Sequence, residues 1–151
     1  MVYLWGKYGN LFPQKIAILQ KGFNMSQAPI YQNIAQKDHF SLFKGEKVDL
    51  KKVADKLDFS IKDVALATGV AISSVRFDHK MPKDVAIRIT EWASLLNLVA
   101  QHFNGDVEKT ALWFKLPNPL LGNLSPRLMI RAGHYNKLLK FITNAVSENK
   151  R

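Results

Sequence analysis

The chain has 151 residues, 47% apolar and 23% charged, which is the composition of a globular protein long enough for one domain or two small ones. It has no cysteine, so disulfides, thiolate nucleophiles and zinc–thiolate sites are excluded, and no apolar run approaches the ~20 residues of a membrane helix. The net charge of +10 suits a polyanionic or acidic partner, and the excess lies at the two ends: residues 1–45 carry five bases against one acid and 117–151 six against one, while 46–80 (seven against six) and 81–116 (four against four) are near neutral.

Residues 1–45 read as an N-terminal arm. Tyr3, Trp5, Tyr8, Phe12 and Phe23 are mixed with Gly6, Gly9, Pro13 and Gly22 without a sustained period. A short helix is expected at Ile30–Gln36, and Met25 is an alternative start that would leave the preceding residues outside the fold. From Val48 the pattern tightens. Asp49 is a helix N-cap, and Leu50, Val53, Ala54 and Leu57 recur at one helical face. Ser60 caps a second helix, Ile61–Ala67, with Val64, Ala65 and Leu66 inward. Thr68-Gly69-Val70 is a break, and Ala71–Phe77 is expected to form another short helix.

After Pro82 the longest helix is predicted over Lys83–Phe103. Val85, Ile89, Trp92, Leu96, Val99 and Phe103 are spaced alternately four and three, a helix-packing seam. Ile87, Leu95 and Leu98 fall off that seam and suggest a second apolar face, so the helix is either central to a bundle or paired with another chain, and these three are the candidate contact residues of a homodimer. Asn104-Gly105 is a turn and Asp106 caps Val107–Lys115. Pro117 and Pro119 stop that helix, Gly122 allows a positive φ, and Ser125-Pro126 opens the next, which ends at Gly133. Tyr135–Val146 is the last helix. No alternating run is long enough to be a strand, so the fold is expected to be all-α.

Two segments carry function. Ser60–Arg76, SIKDVALATGVAISSVR, places small Ala65 at a helix crossing, Gly69 in the turn and Val64, Val70 and Val75 as apolar supports. It resembles the Xre-type helix-turn-helix. That resemblance implies DNA contacts from Lys62, Ala71, Ser73, Ser74, Arg76, His79 and Lys80, with Arg76 suited to a guanine edge. The same geometry also serves as plain scaffold. The near-neutral charge, with Asp63 and Asp78 beside the expected recognition helix, favours that second reading.

The other segment is Ala111–Ile130, ALWFKLPNPLLGNLSPRLMI. Its spacing alone describes two short helices joined by a rigid apolar connector. The block W-x3-PNPxLG-x3-P, formed by Trp113, Pro117, Asn118, Pro119, Leu121, Gly122 and Pro126, resembles the C-terminal domain of Xre/MbcA/ParS-type antitoxins, partners of RES-domain toxins. Asn123 stands where the family commonly has a second glycine, a mild departure because asparagine tolerates the left-handed conformation. The resemblance spans about residues 48–146. It implies a domain that covers the toxin's NAD-binding cleft, with Asn123, Arg127, Arg131, His134, Lys137 and Lys140 as outward polar contacts. Trp113 reads as a core anchor.

An enzyme is not expected. His39, His79, His102 and His134 are dispersed, none has a second histidine at metal spacing, and no glycine-rich phosphate loop is present. No metal or cofactor is implied.

The expectation is therefore an all-α protein, a helix-turn-helix bundle followed by a small C-terminal helical toxin-binding domain. Its divisions would be the arm 1–45, a helix-turn-helix region with a long dimerisation helix at 46–104, and a toxin-binding domain at 105–151. Its function would be that of a type II antitoxin: to neutralise a RES-type toxin and to bind operator DNA, as a cytoplasmic homodimer without membrane contact. A helix-turn-helix regulator without a toxin, and a toxin-binding module that has lost DNA binding, are the alternatives.

Overall fold

The computed structural model describes residues 37–148. The expected helix at Ile30–Gln36 and the alternative start at Met25 lie outside these residues. The chain enters through a polar anchorage: Asn97 Nδ2 donates to Asp38 Oδ1 (3.0 Å) and Asp38 Oδ2 accepts from the Phe43 N–H (2.7 Å). A hairpin follows, β1 (Phe43–Lys44) antiparallel to β2 (Lys47–Val48), with Phe43 opposite Val48. Two residues per strand are too few for an alternating pattern to register, which is why the sequence reads as purely helical here.

The six α-helices among the described residues follow their end signals. Asp49 caps α1 (Leu50–Lys56) by accepting from the Lys52 N–H. Ser60 and Asp63 form a reciprocal capping box at the start of α2 (Ile61–Thr68), and Gly69 ends it at φ +75°, a conformation open to glycine. The long helix α3 spans Lys83–His102. Asp106 caps α4 (Val107–Lys115), Ser125 caps α5 (Pro126–Arg131) with Pro126 at its first position, and α6 is Tyr135–Glu148. Among the described residues the fold is all-α but for the hairpin.

The short helix expected over Ala71–Phe77 is not formed. A single 3-10 turn, Ile72–Ser74, stands in its place. Val70, Ile72 and Val75 are β-branched, Ser73 and Ser74 compete for backbone partners, and Ala71 has no side chain to cap the first N–H groups.

The core centres on α3. Every predicted seam residue is buried, and burial is continuous from Trp92 to Ala100. The second face is a correction to the dimer reading. Leu95 and Leu98 are buried within the subunit, and of the three expected contact residues Ile87 alone is exposed. From Trp92 to Ala100 the helix is enclosed by its own chain, and there apolar residues off the seam are needed without any second copy. Leu66, expected inward, is also exposed.

One hydrophobic cluster runs from Leu42, Val53 and Leu57 through Ile89, Trp92 and Leu96 to Trp113, Phe114, Ile130, Leu138 and Ile142. Helix α1 packs on α3, α4 on α3, α5 on both α2 and α4, and α6 on α5. The C-terminal helices thus fold back onto the segment that holds α2. No helix among the described residues is long and apolar enough to cross a membrane.

Candidate functional site

The connector between α4 and α5 is a pinned corner with an apolar outer surface. Asn118 is its pin. The side chain is buried and Oδ1 accepts from the Leu120 N–H (2.9 Å). Its carbonyl accepts from the N–H groups of Leu121 (2.9 Å) and Asn123 (3.0 Å), and its own N–H donates to the Leu124 carbonyl (3.0 Å). Pro119–Leu121 form a 3-10 turn, and Gly122 (φ +66°) and Asn123 (φ +65°) both take the left-handed conformation that returns the chain to Ser125. Two consecutive left-handed residues need glycine or asparagine, so the Asn123 departure is absorbed.

Below the corner, Trp113 is buried with Phe114 edge-on to it at 5.1 Å between ring centres, and Leu121 packs against the same core. Pro126 is buried beneath the start of α5. Above it, Pro117, Pro119, Leu120 and Leu124 face outward, with Leu120 49% and Leu124 42% exposed, and Leu112 on α4 is exposed as well. Rigid backbone beneath exposed large apolar side chains is a docking geometry: the apolar area is available and little conformational freedom remains to be lost.

The six polar residues expected beside this corner divide into two groups. Asn123, His134, Lys137 and Lys140 are exposed. Arg127 and Arg131 are turned into the chain. Arg127 Nε donates to the Leu57 carbonyl (2.8 Å), one Nη to the Asp58 carbonyl (3.0 Å), and its guanidinium lies 5.5 Å above the Phe59 ring. Arg131 Nε bonds to Asp63 Oδ1 at 2.6 Å. Lys115 reaches Asp58 at 2.9 Å. Three cations of the C-terminal half therefore grip the turn between α1 and α2. The two arginines satisfy carbonyls and an acid at the end of α1 and the start of α2, a structural use that one-dimensional periodicity does not reveal.

Asp63 sits differently from its sequence reading as a source of phosphate repulsion. Burial pushes its carboxyl up, but hydrogen bonds from the Ser60 N–H and hydroxyl and the Arg131 guanidinium outweigh this and hold it below the ordinary aspartate value. Its charge is committed inside the chain.

Apart from Lys62 on α2, the residues expected to read DNA are scattered over a short irregular segment. Lys62, Ala71, Ser73, Arg76, His79 and Lys80 are exposed and Ser74 is half-buried, but Ala71 and Arg76 flank a 3-10 turn rather than share a helix face. Arg76, the expected base reader, is paired with Asp78 at 3.3 Å. Among the described residues no group of three acidic, histidine or cysteine side chains could hold a metal ion. Sequence reasoning missed Leu112, Leu120 and Leu124. The available signal was an apolar leucine on each side of a proline- and glycine-defined turn, where polar residues are usual. No protein-family model, curated protein or solved structure matches this chain.

Proposed function

We propose that this chain is an antitoxin that neutralises a partner toxin by seating its connector corner on the toxin, in the manner implied by the resemblance to partners of RES-domain toxins. The observation that carries this reading is the exposed apolar rim of Pro117, Pro119, Leu120 and Leu124 on a backbone pinned by Asn118. Lys137 and Lys140, exposed on α6, supply positive charge suited to an acidic cleft edge, and such rim charges act mainly on association rate.

The geometry favours a protein-binding module over an operator-reading repressor. A recognition element reduced to one 3-10 turn offers few side chains to a major groove, and an arginine held by an aspartate must give up that pair before it can bond a base. Operator binding remains a separable component of the proposal, carried by Ser73, His79 and Lys80.

The test is co-expression with a RES-type toxin, following growth and cellular NAD. Truncation at residue 111 would remove Trp113, Phe114, Ile130, Leu138 and Ile142 from the core and unfold the chain, so surface substitutions are the informative variants. Leu120→Asp together with Leu124→Asp is expected to abolish rescue while the helical signal and melting midpoint are unchanged. Rescue that survives the double substitution would overturn the assignment.

A further inference from the structure

A second apolar surface lies on the opposite use of the sequence, where the Xre resemblance implies DNA. Lys62 and Leu66 lie four apart on α2 and Gly69 follows at its C-terminal end, forming one stripe with Ala65 beside them. Across from the stripe stand Val70 and Ile72, and the six residues enclose a groove of about 240 Å³. Leu66 is 53% and Ile72 54% exposed, and a side chain added at Gly69 would meet nothing within 4 Å, so the space beside Gly69 is open.

We propose that this groove is a docking site for an acidic amphipathic segment of a partner protein, an apolar side chain entering between Leu66 and Ile72 and a carboxylate meeting Lys62. The charge pattern selects this occupant. Lys62 is the one charged residue lining the groove, and it has no ion-pair partner among the described residues. Asp63, adjacent to Lys62 in sequence, is already engaged by Ser60 and Arg131, and Asp78 by Arg76. A second copy of the chain packed across a two-fold would bring two Lys62 side chains together with no free acid between them. A phosphate backbone would meet leucine and isoleucine where it needs several donors. A partner with both apolar and acidic groups satisfies the whole lining. This inference stands apart from the toxin-docking reading, because the groove is built from α2 and the 3-10 turn and not from the connector.

The test uses the full chain labelled with nitrogen-15 and three probes: a short helix-forming peptide with leucines four apart flanked by glutamates, the same peptide with lysines for the glutamates, and a short DNA duplex. Expected are amide shifts confined to the Lys62–Ile72 region with the acidic peptide alone. Leu66→Asp should weaken that binding roughly tenfold or more, and Lys62→Glu should reverse the preference between the two peptides. Both positions are exposed, so a retained helical signal and melting midpoint verify that each variant is folded. Equal response to both peptides, response to neither, shifts centred elsewhere, or a response to the duplex over this same region would overturn the proposal.

Discussion

Arg127 illustrates how one side chain can serve two readings that differ in their consequences. Its fork donates to two carbonyls at the end of α1 and stacks on Phe59, so both an edge and the face of the planar guanidinium are used. Arg127→Ala is expected to lower stability by about 1–3 kcal/mol, read as a lower midpoint in denaturant unfolding, and Arg127→Lys is expected to recover only a fraction of it. An unchanged midpoint in the alanine variant would return Arg127 to the set of surface contacts. Asp63 and Arg131 form a similar strut, partly exposed, and their coupling in a double-mutant cycle is expected near 1 kcal/mol. Neither role was legible in the sequence. Both arginines fall on the outer face of a short helix by spacing, and only the return of α5 onto α2 brings acceptors to them.

The connector is the element on which the functional reading depends. Asn118 arranges four backbone bonds and is buried, so Asn118→Ala leaves the Leu120 N–H without its acceptor and is expected to lower stability by about 1–2 kcal/mol. Asn118→Asp keeps the acceptor oxygen and is expected to cost less in the unfolding midpoint. On the proposed antitoxin reading, loosening this corner should also raise the dissociation rate from the toxin, because the apolar rim would then have to be ordered on binding. The helix ends were legible because they are local. Asp49, Ser60, Asp106 and Ser125 each cap by bonding within three residues, and Gly69, Gly122 and Gly133 each take the left-handed turn that their neighbours imply. The segment after Gly69 was misread for the complementary reason. Its match to a helix-turn-helix template rested on apolar spacing, which Val70 and Val75 satisfy by tucking inward from a 3-10 turn as readily as from a helix.

At the scale of the molecule, burial sets the response to acid. His102 lies wholly buried at the end of α3, and burial holds its imidazole well below the ordinary value of 6.5; His39 is lowered too, by burial first and then by Lys37, against Asp38. In the unfolded chain both take up a proton as pH falls through about 6.5, while the folded chain resists. Stability is therefore fully present above that pH and declines below it, by at most about 1.4 kcal/mol per pH unit for each such proton. Denaturant midpoints measured from pH 7.5 to 5 are expected to fall, and His102→Gln should flatten that fall. Asp63, lowered in the folded state, adds a further loss only below its ordinary 3.8.

What the sequence determined by itself was the part governed by short-range chemistry: a helical chain without disulfides, the caps and stops of its helices, the seam of α3, and a stiff proline- and glycine-defined corner. Long-range packing decided the rest. It enclosed α3 from Trp92 to Ala100 and so took Leu95 and Leu98 from a supposed dimer face, it turned Arg127 and Arg131 from contacts into struts, and it left Leu66, Ile72, Leu120 and Leu124 uncovered. The physical reason is that a helical period reports which side chains share a face, whereas burial depends on which element comes back to cover that face, and that is settled by residues far away in the chain.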